Sequence, residues 1–171
     1  MASSLLVEQE QFRFVFDFGR GISQRLCQLG LKQDDLNHIV ISHFHPDHCS
    51  DLVPYLHAAC WSQIDPRKGD LHLYGPEGVE EWTTQLKSLF GPSAQKGSFN
   101  LRIHTLKESS FNMGGKKFYS QELPPSGNRG LKFNAGDQIV AFTGDSHYHQ
   151  QEYQFLKGVD IAVIDSGHLS D

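Results

Sequence analysis

The hexapeptide His43-Phe44-His45-Pro46-Asp47-His48 sets three imidazoles and a carboxylate on one tight turn. Zinc and similar cations take imidazole nitrogen and carboxylate oxygen at about 2.0–2.2 Å. A cluster this dense limits the chain to folds that deliver it to one point. Ile39-Val40-Ile41 comes just before it, a β-branched run that reads as a buried strand carrying the cluster at its carboxyl end. The plainer reading, a histidine-rich surface loop, leaves that context unexplained.

His43 and His45, two apart in an extended turn, can aim their rings at one ion. Asp47 and His48 arrive as the chain turns towards the next helix and can face a second. Two metals about 3.5–4 Å apart clamp the attacking and leaving oxygens of a displacement, and they call for a bridging carboxylate. Phe142-Thr143-Gly144-Asp145-Ser146 offers one. Alone, Asp145 reads as an ordinary turn residue; beside the histidine cluster it reads as a ligand.

The remaining pattern predicts strands over residues 4–8, 12–16, 39–41, 71–74 and 101–106, then 117–120, 131–133, 138–142 and 161–164. Helices are predicted over 22–29, 51–60, 77–90 and 151–156, and loops over 65–70, 91–98, 107–115 and 124–130. This is a mixed α/β chain with more strands than a simple doubly wound sheet uses. At 171 residues it is expected to form one domain over 1–171. The formal charge of -5 argues against a dedicated polyanion binder. Cys27, Cys49 and Cys60 lack CxxC spacing, and no apolar run approaches a membrane span. Leu5-Leu6-Val7 is too short for a signal-peptide core. A cytoplasmic protein with reduced thiols and no membrane partner is the expectation.

Several segments together carry a resemblance: Ser3-Ser4-Leu5-Leu6-Val7-Glu8, Phe16-Asp17-Phe18-Gly19, Ser42 through His48, Leu73-Tyr74-Gly75-Pro76, Thr143-Gly144-Asp145-Ser146, and Val159 through Asp165. In this order they resemble the metallo-β-lactamase fold superfamily, in its RNase Z-like and phosphodiesterase-like branch. The resemblance implies an αββα sandwich with the metals at one edge between two sheets. It implies His43 and His45 on the first metal, Asp47 and His48 on the second, and Asp145 bridging. Zinc is the implied cofactor, as one or two ions, with manganese as the alternative. Asp47 is further expected to act as general base. Asp17 matches an aspartate near the site that is usually structural, so it is left out of the ligand set. His168-Leu169-Ser170 resembles an element of RNase Z-like proteins whose histidine, near the scissile phosphate, helps as a general acid or stabilises charge; a solvent-exposed terminal histidine is the other reading of His168.

Three departures follow from the same comparison. The family opens with a glycine-rich strand before the segment at Ser3, and it continues beyond the His168 region to a further ligand histidine. The expected sandwich therefore lacks the first strand and the C-terminal part. The family also places a histidine ligand between the strand at Lys117 and Gly130, where this chain reads Gln121-Glu122-Leu123-Pro124-Pro125-Ser126-Gly127. Glu122, His147 and His149 are the candidate substitutes. Uncovered sheet edges point either to a piece or compact variant of a longer protein, incomplete at both ends, or to a homo-oligomer whose partner subunit covers them.

His38, His57, His72 and His104 are expected in packing or on the surface. Lys116, Lys117, Arg129 and Lys132 could touch a phosphate backbone but read as a solvated face. Trp61 and Trp82 read as core or lid residues, and Cys49 as an inert thiol. The resulting reading is a metal-dependent hydrolase of phosphodiesters, RNA or small molecule, using a metal-activated water. The alternatives are a catalytically weak or inactive binding module of the same fold, and a lactone or lactam hydrolase.

Overall fold

The computed structural model describes residues 3–91 and 99–164. β1 (Leu5–Gln9) and β2 (Phe12–Phe16) form an antiparallel hairpin. β2 then pairs in parallel with β3 (His38–Val40), β3 with β4 (Leu71–Gly75), and β4 with β5 (Leu101–Thr105), giving a first sheet in the order β1-β2-β3-β4-β5. The parallel connections are helical, as parallel pairing requires. They are α1 (Ile22–Gln28), α2 (Pro46–Cys49) with α3 (Leu52–Trp61), and α4 (Val79–Phe90).

The second sheet has the order β10-β9-β8-β7-β6. It holds the antiparallel run β6 (Ser109–Met113), β7 (Lys116–Leu123), β8 (Asn128–Ala135) and β9 (Gln138–Phe142). After α5 (Gln150–Leu156), β10 (Ile161–Val163) pairs in parallel with β9.

Strand alternation sorts the side chains into layers. Val15, Ile39, Ile41, Leu71 and Leu73 face α1, α3 and α4 in one core. Their neighbours Phe14, Phe16, Val40 and Tyr74 face the other sheet, where they meet Phe118, Leu131, Phe133 and Phe142. Phe14 meets Phe118 and Phe133 edge-on at 5.4 and 5.5 Å between ring centroids, a favoured aromatic geometry. A third cluster packs Leu123, Ala141 and Phe155, so α5 covers the far face. The layering is α-β-β-α, as the resemblance implied.

Two stretches differ from expectation. Residues 107–115 were expected as a loop, yet Ser109–Met113 form edge strand β6. Its inward residues are only Phe111 and Met113, too short an alternation to stand out. β8 starts at Asn128, inside the expected loop 124–130, because Asn128 and Arg129 pair with Leu123 and Glu122.

Candidate metal centre

The parallel strand β3 ends where the second sheet comes closest. The Arg129 N–H donates to the Ser42 carbonyl at 2.9 Å, tying the start of β8 to the β3 exit. The Asn128 side chain receives the Asp145 N–H and donates to the Thr143 carbonyl. Gly144 has φ +61, and a Cβ there would lie 2.3 Å from Asn128 Oδ1 and 2.7 Å from Ser42 Cβ. Only glycine fits this crossing. The chain from β9 thus delivers Asp145 to the histidine turn.

On that turn, His45 is extended at φ −64, ψ 143, and Pro46 opens α2 at its first position, where a missing N–H costs nothing. His43 Nε2 lies 2.9 Å from His45 Nδ1. Asp145 Oδ2 lies 3.6 Å from His43 Nε2 and 3.8 Å from His45 Nδ1. These three donor atoms fall within 4.8 Å of one another, the one such group of three among the described residues. His48 sits alongside, its ring centroid 4.2 Å from that of His43, and its Nε2 lies 3.7 Å from Asp47 Oδ2. Asp47 is half exposed, while His48 is 2% exposed.

Asp17 organises the cluster from behind. It is fully buried at φ +60, a backbone region uncommon for a non-glycine residue. Its Oδ1 receives the Ser42 N–H at 2.7 Å. Its Oδ2 receives the Ser42 hydroxyl at 3.0 Å and lies 2.7 Å from His48 Nδ1. With its proton committed to Asp17, the Ser42 oxygen accepts from His43 Nδ1 at 2.9 Å. Both His43 and His48 therefore carry their proton on Nδ1, leaving Nε2 to face the cluster. Burial pushes the pKa of His43 down to about 4, with the His48 and His45 rings adding to the effect. It is neutral near pH 7. For His48, burial opposes the charged form, but the Asp17 hydrogen bond and charge outweigh it and raise the pKa. Burial raises the pKa of Asp17, although His48 and Ser42 pull the other way.

The backbone behind Asp17 is equally constrained. Phe18 N–H donates to the His48 carbonyl, and Ser3 N–H to that of Asp47. A Cβ on Gly19 would sit 1.9 Å from the Asp47 carbonyl oxygen. Sequence reading treated Asp17 as structural and missed Ser42 and Asn128; their polar partners lie many residues away.

The candidate substitutes do not join the group. Glu122 accepts from Ser126 Oγ at 3.0 Å and the Gly127 N–H at 3.2 Å, and these bonds lower its pKa. His149 caps α5, accepting the Gln151 N–H, and His147 is exposed. Cys49 donates to the His45 carbonyl at 3.1 Å, and burial pushes its pKa up to about 11. Trp82 stacks on Phe44 at 4.8 Å. His168 lies outside the described residues. The expectation of a solvated basic face fails in part. Arg129 is 8% exposed, and the Lys132 amine donates to the Phe155 carbonyl above that ring.

Among known proteins, the sequence model of the Metallo-beta-lactamase superfamily matches residues 1–168. The chain is 37% identical over 89 residues to Ribonuclease Z of Bacteroides thetaiotaomicron, covering 52% of this chain and 27% of that protein. It is 29% identical over 107 residues to Ribonuclease Z of Porphyromonas gingivalis, covering 63% of this chain and 33% of that one. The chain thus spans about a third or less of the length of these curated relatives. In fold it is similar to the human tRNase Z short form, with TM-score 0.73 and 19% identity over 94% of this chain and 70% of that one.

Proposed function

The chain belongs to the metallo-beta-lactamase superfamily, and from that premise we propose that it is a metal-dependent hydrolase of phosphodiesters, acting on an RNA 3′ end or a small diester. The convergence of His43 Nε2, His45 Nδ1 and Asp145 Oδ2 carries the reading. Ribonuclease Z and tRNase Z relatives support the substrate class.

The donors suit a borderline divalent cation. His43 is neutral near pH 7, its Nδ1 is occupied by Ser42, and Asp145 adds anionic charge. His43, His45 and Asp145 would hold one ion; Asp47 and His48, with Asp145 shared, would hold a second. Zinc fits nitrogen and carboxylate donors, and manganese is the alternative. Such an ion supplies Lewis acidity and lowers the pKa of water. Asp47 accepts the proton of the attacking water at Oδ2, being the ligand carboxylate most open to solvent. Asp17 holds the His43 and His48 rings in the required tautomer. His168 as general acid rests on the sequence resemblance.

The test is to purify the protein with zinc or manganese, count bound metal, and assay bis(p-nitrophenyl) phosphate beside His45→Ala. Bound metal with turnover lost in the variant is expected. Absence of metal, or turnover equal in the variant, overturns the proposal.

A second reading has its own support. Glu122 is engaged by Ser126, Gly127 and Arg129 in the stretch where the family carries a ligand histidine. A binding module with a weakened site would take up metal and show no turnover. The exposed strand β10 supports a homo-oligomer, against which a monodisperse monomer in light scattering at high concentration would count.

A further inference from the structure

Beside the metal-centre edge lies a second cleft of about 290 Å³, lined by Glu77, Leu106, Lys107, Glu108, Glu122 and Arg129. Its walls come from both sheets. Glu77 follows β4 and Lys107 follows β5, at the same carboxyl edge from which His43 leaves β3. Arg129 reaches it from β8, on the strand face that carries Leu131 and Phe133 towards the first sheet.

Arg129 is the unusual member. Its side chain is 9% exposed, its nearest carboxylate is Glu122 Oε2 at 3.5 Å, and its Nε–H has no hydrogen-bond partner among the described residues. A buried cation normally takes a tight, well-bonded anion, because desolvation is expensive. Glu122 is shared with Ser126 and Gly127 and is itself 44% exposed to competing water. The guanidinium is thus underpaired, and a fork of N–H donors suits a phosphate. Glu77 and Glu108 are exposed rim residues whose charge water and salt screen. Lys107 adds a second cation at the rim.

Position decides which phosphate. Two strand spacings of about 4.8 Å separate β3 from β5, so the Lys107 wall of the cleft stands roughly 10 Å along the edge from His43, while Arg129 is tied by its backbone to Ser42 and lines the cleft with its side chain. A phosphate held between Lys107 and Arg129 is therefore a neighbour of the group under attack. We infer that Arg129, with Lys107, anchors a phosphate adjoining the scissile one in a single-stranded RNA, with Glu122 holding the guanidinium loosely until the phosphate replaces it. This rests on the phosphodiester reading above.

Binding separates the two ideas. The full chain is titrated, in buffer without added metal so that nothing is cleaved, against a fluorescein-labelled RNA pentamer read by anisotropy. Arg129→Gln is expected to weaken binding about tenfold or more, the scale of a charged hydrogen bond. It should also reduce the log–log salt slope by about one. Glu122→Gln is expected to tighten binding, because it frees the guanidinium while its amide oxygen can still accept from Gly127. In turnover, Arg129→Gln should raise KM more for the RNA than for bis(p-nitrophenyl) phosphate, which has one phosphate. Opposite shifts without any hydrolysis would leave the anchor standing and remove the hydrolase. Metal-dependent hydrolysis with RNA binding unmoved by Arg129→Gln, or weakened by both variants, would overturn the anchor.

Discussion

At Asp17 one carboxylate holds a serine hydroxyl, a backbone N–H and a histidine ring, and through them sets which nitrogen two imidazoles present. Asp17→Asn keeps the shape but can no longer accept at both oxygens. Zinc affinity is expected to fall about 10- to 100-fold, the usual cost of losing a ligand's supporting partner. Competition with a chromophoric chelator measures it, and unchanged affinity would show that the rings need no such support. Gly19→Ala probes the backbone behind it. The added methyl meets two carbonyl oxygens, of Asp47 and Ser3, neither on a flexible side chain. A loss of about 1–3 kcal/mol in urea unfolding is expected. The histidine turn and Asp145 were legible because their residue types are rare in such density. Asp17's part was not, since its partners Ser42 and His48 lie 25 and 31 positions on, a distance that local pattern cannot span.

Across β3, β4 and β5, three histidines expected only in packing or on the surface form a ladder. His38 and His72 pair in register with ring centroids 5.1 Å apart, and His72 Nδ1 lies 2.9 Å from His104 Nε2. Burial drives the pKa of His38 down to about 4, and the His72, His104 and Arg67 charges push the same way. Between pH 6.5 and about 4 the unfolded chain therefore binds more protons at this position than the folded one. Its contribution to stability is full above pH 6.5 and is lost as pH falls towards 4. Urea midpoints at pH 7 and pH 5 should differ less in His38→Gln than in the parent, and an equal difference would remove His38 from the account. The individual strands were legible by alternation. Their lateral register was not, because it is set by pairing between segments some 30 residues apart. β6 escaped for a related reason: as an edge strand it pairs only with β7 and needs few apolar residues.

For the whole molecule, the donor groups come from both sheets, His43 and His45 from the exit of β3 and Asp145 from that of β9. A cation shared among them would staple the sandwich. At a free concentration about 100-fold above Kd it would add about 2.7 kcal/mol, or very roughly 5–10 °C in Tm for a chain of this size. Thermal unfolding with and without chelator should show that drop. It should shrink in Asp145→Asn, while a chelator with no effect in either protein would dissociate the cluster from cation binding. The layered architecture was legible in outline because motifs spaced along the chain matched one family order. The meeting of Asn128, Ser42 and Gly144 that brings the two halves together was not, for it depends on a crossing that only one glycine permits.

That crossing also orders events in time. Asp17 and Ser42 meet within the first sheet, but Asp145 lies 128 positions beyond Asp17 and reaches the histidine turn only when both sheets have formed and docked. Closing loops of that length is slow relative to local pairing. The donor cluster therefore cannot seed assembly of this chain; it can only lock an assembly already complete. Added cation should slow unfolding while leaving the refolding rate almost unchanged.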